Sequence, residues 1–243
     1  MASSAPRDAA LLVVDQVCKS FGGVRANTDV SFSVHRGTVA ALIGPNGAGK
    51  TTLFNAMTGF GRADSGTVTF DGHHVQHKAA HRISRLGMVR TFQSIKMLSG
   101  LTVYESLLVV RPGQRRTTST RKRAVTVLER MHLTDVADRV CTELPLLAQR
   151  TIEVARALMC EPTMILLDEP TAGATVAERR RLAELIGELR TGGTTVMVIE
   201  HNVPFVMDVS DQVVVLDFGK VVADGTPAEV GANPVVQEIY LGS

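Results

Sequence analysis

Lys50 and Thr51 end the stretch GPNGAGKT, and Asp168 and Glu169 end the stretch MILLDE. A lysine and a hydroxyl after a glycine-rich turn, with paired carboxylates after an apolar run, are the groups needed to hold and cleave a phosphoanhydride. The first stretch fits GxxxxGK[ST] over Gly44, Pro45, Asn46, Gly47, Ala48, Gly49, Lys50 and Thr51, with Thr52 following. Glycine lets such a backbone curl until successive N–H groups point inward, and the helix that follows adds its positive end. Lys50 then serves as a point charge for the β- and γ-phosphates of ATP, and the Thr51 hydroxyl serves Mg²⁺. Asp168, ending a buried strand, is placed to hold Mg²⁺ through water, and Glu169 to polarise an attacking water. Two consecutive acids after such a strand are costly without a cation.

Two single residues extend the set. Gln93, in VRTFQ, follows a short apolar run and is placed for Mg²⁺ or the attacking water. His201, in VMVIEHN, sits just past a strand end, within reach of a γ-phosphate. His73, His74, His77 and His81 crowd HHVQHKAAHR, with i,i+4 pairs if that segment is helical. No carboxylate or thiol joins them, so no metal site is expected there.

These residues need a frame. Short Val- and Ile-rich runs at 39–43, 164–167, 195–199 and 213–216 read as buried strands. Helices are expected at 50–59 and at 176–190, where Leu182, Leu185, Ile186 and Leu189 form one face. Alternating strands and helices indicate a mainly parallel sheet. RGT, DSGTVTFDG and DFGKVVADG read instead as turns of short antiparallel strands, and residues 102–160 as helix after helix. The expected fold is therefore α/β: a P-loop NTPase core with a mainly parallel sheet, an antiparallel β-subdomain and an inserted α-helical subdomain.

Composition narrows the class. The chain has 243 residues, 44% apolar and 21% charged, ordinary values for a globular protein with a full core. A net charge of +2 argues neither for nor against a nucleic-acid partner, and none is expected. MASSAPRDAA lacks the apolar centre of a secretory signal, and no run approaches the roughly 18 apolar residues of a membrane span. Cys18, Cys141 and Cys160 form no CxxC pair and read as buried, reduced thiols. The basic run RPGQRRTTSTRKR reads as a solvated loop leading into a helix.

The order GPNGAGKTT, RTFQ, helical insert, LLDEP, IEHN resembles the ATP-binding subunits of ABC transporters. FGGVRANTDVSFSV, HRISRLGMVRTFQ, EHNVPFVMDVSDQVVVLDFGKVVADGTP and NPVVQEIYLG are similar to the branch that powers branched-chain amino acid import. Importers for urea or other amides and the lipopolysaccharide-export ATPase share much of this wording. The resemblance implies one ATP-binding domain over about 11–242: core and β-subdomain at about 11–93 and 161–225, helical subdomain at about 94–160, tail at about 226–242. It implies ATP hydrolysis at the cytoplasmic face of the membrane, with integral membrane permease subunits as partners and a solute-binding protein as an indirect one. It also implies that Phe21 stacks on adenine, and that residues 94–104 line a groove for a helix of the membrane subunit.

In that family the ATP site is shared, and the facing chain supplies a turn resembling LSGGQ. Anchored on IEVARAL, those positions here are Leu144, Pro145, Leu146, Leu147 and Ala148. Pro145 brings neither a hydroxyl nor an N–H, and Leu147 puts a bulky side chain where glycine permits close approach. Thr175 also stands where Asp or Asn is usual in the loop crossing the interface. The site residues of this chain are complete while its contribution to a facing chain is degraded. A heterodimer with a second ATP-binding subunit is therefore favoured over a homodimer. The alternative is a regulatory ATP-binding module with little turnover of its own.

Overall fold

The structure, a computed structural model, describes residues 10–91, 99–109 and 117–241. The chain opens with a long hairpin, β1 (Ala10–Phe21) and β2 (Val24–His35), then crosses to β3 (Val39–Ile43). A glycine-rich loop leads into α1 (Lys50–Thr58). Next come β4 (Ser65–Phe70), β5 (His73–His74), α2 (Ala80–Arg85) and β6 (Met88–Arg90). The helical section holds α3 (Val103–Leu108), α4 (Thr118–Arg130) and α5 (Leu146–Leu158). Strands then alternate with helices: β7 (Met164–Asp168), α6 (Val176–Thr191), β8 (Thr195–Ile199) and α7 (Val203–Val209). A hairpin of β9 (Gln212–Asp217) and β10 (Lys220–Gly225) precedes α8 (Pro227–Gly231) and α9 (Pro234–Leu241).

Two sheets result. One is antiparallel, ordered β2-β1-β4-β5; the other is ordered β10-β9-β3-β8-β7-β6 and parallel except for β10. Parallel register pairs Leu42 with Ile199, Asp168 with Ile199, and Arg90 with Leu166. The C-terminal ends of β3, β6, β7 and β8 therefore share one edge, the edge at which α/β sheets bind ligands. Residues that follow those ends in sequence (44–52, 168–169 and 201) must converge there, however far apart they lie along the chain.

The buried strands serve two layers at once. Along β7, Leu166 faces a core shared with Phe32, Phe54 and Phe70, while Ile165 and Leu167 face a core shared with Ile152, Leu182 and Ile186. That alternation explains why these strands are apolar throughout rather than every second residue. Ala41 and Ile43 of β3 face a third, smaller core with Val206 and Val236. In α6 the buried positions are Leu182, Leu185, Ile186 and Leu189, the face expected from spacing.

Two expectations are corrected. The RGT turn closes no antiparallel hairpin: it carries the chain from one sheet to the other, where Gly37 N–H donates to Thr195 Oγ1 at 2.9 Å. Only Cys141 of the three cysteines is buried; Cys18 and Cys160 are half-buried. The histidine-rich stretch is not one helix, because His73 and His74 form β5 and only His81 lies in α2. Of the basic run, residues 111–116 lie outside the described residues, and Arg121, Lys122 and Arg123 belong to α4.

The tail is docked, and this can be checked. Burial pushes the Tyr240 phenol up to about 12, with the Asp217 charge adding to the effect and the Gly44 backbone opposing it. The chain has two tyrosines, so Tyr104→Phe leaves Tyr240 alone. Ultraviolet titration of that variant is expected to show phenolate near pH 12 when folded and near the ordinary value of about 10 when unfolded in urea. Ionisation near 10 in the folded protein would mean that α9 does not pack against β3.

Candidate active site

The loop between β3 and α1 is shaped by backbone crowding. Gly44 has φ +151°, and a Cβ there would lie 2.1 Å from the Leu216 carbonyl oxygen. Gly49 has φ +98°, and a Cβ there would lie 2.2 Å from the Ala26 carbonyl oxygen and 2.6 Å from Asn27 Nδ2. Only glycine accepts both the conformation and the approach. Gly49 also caps α1 with no side chain, so the first N–H groups of the helix have no side-chain acceptor. Those donors, with the helix dipole, make an anion seat.

The cavity above this loop is walled by Ala26, residues 46–52, Glu169 and His201. Lys50 is buried, and its Nζ donates to the carbonyl oxygens of Gly44 at 2.7 Å and Pro45 at 2.9 Å. Burial lowers its pKa below the ordinary lysine value, and the Glu169 charge opposes that shift. Thr51 is exposed and Thr52 partly so. Hard oxygen donors at Thr51, Asp168 and Glu169 beside a phosphate seat suit Mg²⁺, which takes few protein ligands and keeps waters.

On the far side of the cavity Glu169 follows β7 with φ +47°, unusual for a residue with a side chain. Its N–H donates to the Ile199 carbonyl at 2.9 Å, and its Oε1 lies 2.8 Å from His201 Nε2. The tautomer protonated at Nε2 donates this bond. Asp168 does not line the cavity wall itself; its Oδ2 accepts from Arg90 Nη2 at 2.5 Å, both side chains being 6% exposed. Part of the cation that two adjacent acids require is thus built in as Arg90, which pairs with Asp168, while His201 hydrogen-bonds Glu169.

Two further residues brace the edge. Glu200, 2% exposed, accepts from the N–H groups of Thr171 at 2.7 Å and His201 at 3.0 Å, joining the turn after Glu169 to the turn after β8. Arg150, from α5, donates to the carbonyl oxygens of Pro170 and Ala172. Burial lowers its pKa, and the charges of Glu200, Glu178 and Glu153 oppose that. Sequence reasoning did not single out Arg90, Arg150 or Glu200. Arg90 lies in VRTFQ, three positions before Gln93, and Glu200 lies in VMVIEHN, directly before His201.

Of the expected site residues, Asn46, Gly47, Ala48, Gly49, Lys50, Thr51, Thr52, Glu169 and His201 meet around one cavity. Gly44 and Pro45 take part through their carbonyls. Phe21 lies at the hairpin tip, 58% exposed with Lys19 Nζ 5.1 Å above its ring, and is not in the cavity wall. Gln93 lies outside the described residues.

The helix that follows the expected signature positions is α5, with Pro145 as an N-cap that makes no side-chain bond. Pro145 thus precedes the first turn rather than sitting within it. Leu146 is 43% exposed, while Leu147 and Ala148 line an apolar hollow with Met131, Leu133, Leu182 and Leu185. Thr175 is occupied as the N-cap of α6: its hydroxyl accepts from Glu178 N–H at 3.3 Å, and Glu178 Oε2 accepts from Thr175 N–H at 2.7 Å. The Thr175 N–H and hydroxyl, both donating to the Glu178 carboxylate, lower its pKa. Thr, Asp and Asn all serve as N-caps, so the helix loses little by the exchange.

Comparisons with known proteins agree with this geometry. The ABC transporter family matches residues 27–172, and the branched-chain amino acid ATP-binding cassette transporter family matches residues 220–243. The chain is similar to the high-affinity branched-chain amino acid transport ATP-binding protein LivG of Salmonella typhimurium: 39% identity, covering 96% of this chain and 98% of that one. It is similar to BraF of Pseudomonas aeruginosa at 38% identity, with the same coverage. Among solved structures, an ATP-binding cassette of an ABC transporter in its ADP conformation superposes with a TM-score of 0.89 at 33% identity, covering 97% of this chain and all of that one. A nucleotide-free cassette superposes with a TM-score of 0.88, also at 33% identity and with the same coverage.

Gly49→Ala tests the loop. Its Cβ would displace Ala26 or the loop itself, losing two or three charge-assisted bonds of about 1.5–3 kcal/mol each. Nucleotide affinity, followed with a fluorescent analogue, is expected to fall by roughly two orders of magnitude or more. Retained affinity would show that the loop amides do not form the seat.

Proposed function

This chain belongs to the ABC transporter family of ATP-binding subunits, and from that premise we propose how its site works and what it serves. It is the ATP-hydrolysing, energy-coupling subunit of an ABC importer. The imported solute is a branched-chain amino acid or a close relative, as the names of the similar proteins suggest. No helix among the described residues is long and apolar enough to cross a membrane. Separate permease subunits would carry the solute, with this chain docked at their cytoplasmic face. A solute-binding protein would act further upstream.

The observation that carries the catalytic reading is the Glu169–His201 contact facing the Lys50 loop across one cavity. Lys50 and the amides of residues 46–52 hold the β- and γ-phosphates of ATP, and Phe21 covers the adenine. Thr51, Asp168 and Gln93 would hold Mg²⁺, which when bound neutralises charge on the phosphates. Glu169, fixed by its left-handed backbone, orients the attacking water, and His201 steadies the γ-phosphate. This is catalysis by positioning and preorganised charge.

The start of α5 favours a heterodimer. Pro145 offers no N–H, and the exposed Leu146 puts an apolar side chain where a facing γ-phosphate would need donors. A second ATP-binding subunit with an intact signature would complete this chain's site. The same feature supports the second reading, a regulatory module with little turnover alone.

ATPase turnover separates these. The chain alone is expected to be nearly silent, and Pro145→Ser/Leu146→Gly/Leu147→Gly to raise its turnover about ten-fold or more, one to two charge-assisted bonds' worth. With an intact-signature subunit and the permease, Glu169→Gln is expected to abolish most turnover. Brisk turnover of the unaltered chain alone would overturn the heterodimer, and full activity of Glu169→Gln in the mixture would favour the regulatory module.

A further inference from the structure

Arg90, the last residue of β6, holds three partners with one planar group. Nη2 donates to Asp168 Oδ2 at 2.5 Å, while Nη1 donates to Asn55 Oδ1 at 2.7 Å and Thr58 Oγ1 at 3.2 Å. Asn55 and Thr58 lie on α1, the helix that starts at Lys50. The rings of Phe54 and Phe60 lie 5.3 and 5.7 Å from the guanidinium carbon, within cation–π range. With only 6% of its side chain exposed, this is a built seat rather than a surface ion pair.

We propose that Arg90 is a positioning residue for the metal–nucleotide site, locking the Asp168 carboxylate to α1 and so to Thr51 and the phosphate loop. The inference rests on the reading of Asp168 as a Mg²⁺ donor. Asp168 ends β7 and Thr51 lies in the first turn of α1, elements joined to different neighbours in the fold, and a cation held by both needs a constant separation between them. The guanidinium fork spans that gap. One arm fixes the carboxylate and the other fixes the helix, a task for a planar fork and not for the point charge of lysine. Partners behind metal ligands typically change metal affinity by about 10–100-fold when removed.

The competing idea is that Arg90 merely substitutes for the cation and leaves when it arrives. Its seat argues otherwise, because Asn55, Thr58 and the two rings hold the guanidinium without help from Asp168. The two ideas predict opposite signs: loss of a positioner weakens metal binding, whereas loss of a competitor tightens it.

The test uses the full chain with Mn²⁺ as the probe, its binding in the presence of ADP followed by electron paramagnetic resonance. Arg90→Lys is expected to weaken Mn²⁺ binding by about ten-fold or more, with metal-free ADP affinity unchanged. Unchanged or tighter Mn²⁺ binding would overturn the proposal. Asn55→Ala/Thr58→Val leaves the ion pair in place and strands no charge, so it decides the matter if Arg90→Lys does not fold. It is expected to weaken Mn²⁺ binding by a smaller factor, and an unchanged affinity would again overturn the role. Asp168→Asn separates the two layers of the argument. If it leaves Mn²⁺ binding unaltered, the reading of Asp168 as a metal donor is what fails. If it weakens binding while Arg90→Lys does not, only the positioning role fails.

Discussion

Backbone crowding at the C-terminal edge of the parallel sheet is the constraint on which the rest depends. Gly44 passes against the Leu216 carbonyl of β9, and Gly49 against Ala26 of β2, each where no Cβ could fit. The two contacts draw the loop tight between both sheets. Because it is tight, α1 starts without a side-chain cap, its first amides have no side-chain acceptor, and Lys50 folds onto the carbonyls of Gly44 and Pro45. A looser loop would hydrogen-bond to itself or to water and lose its pull on an anion.

Charge at this edge is balanced pair by pair. Lys50, Arg90, Arg150, Asp168, Glu169, Glu200 and His201 all sit around the strand ends, and several are deeply buried. Each buried charge finds an opposite charge or backbone dipoles: Asp168 has Arg90, Glu200 has the amides of Thr171 and His201, and Lys50 has loop carbonyls. Removing one member of such a pair commonly costs about 3–5 kcal/mol, because the other charge is stranded. Arg150 extends the balance into the helical section, since its donors end on the turn that follows Glu169. The helix that a facing chain would meet is thereby tied to the carboxylate that would act within this chain.

Much of this was legible in the sequence, and the reasons differ by element. Apolar runs of five residues between turn signals could only be two-sided strands, so β3, β7 and β8 were placed to within a residue. Spacing alone identified the buried face of α6. The phosphate loop was readable because glycine is needed where no other residue fits. The pairing of sheets was not readable: RGT resembles a hairpin turn locally, and only the packing of β3 between β8 and β9 makes it a crossover. Arg90, Arg150 and Glu200 act through partners 20 to 78 positions away, a relation that no local pattern encodes. Phe21, proposed to cover the adenine, stands exposed at the hairpin tip, outside the wall of the phosphate cavity.

The chain is asymmetric: Lys50, Glu169 and His201 meet around one cavity, while α5 begins with a proline and an exposed leucine. The most direct test is analytical ultracentrifugation of the Glu169→Gln chain with Mg²⁺ and ATP, alone and mixed with an ATP-binding subunit that carries an intact signature. The account predicts a monomer alone and an ATP-dependent one-to-one complex in the mixture. An ATP-dependent dimer of the chain by itself, as tight as the mixed complex, would contradict it.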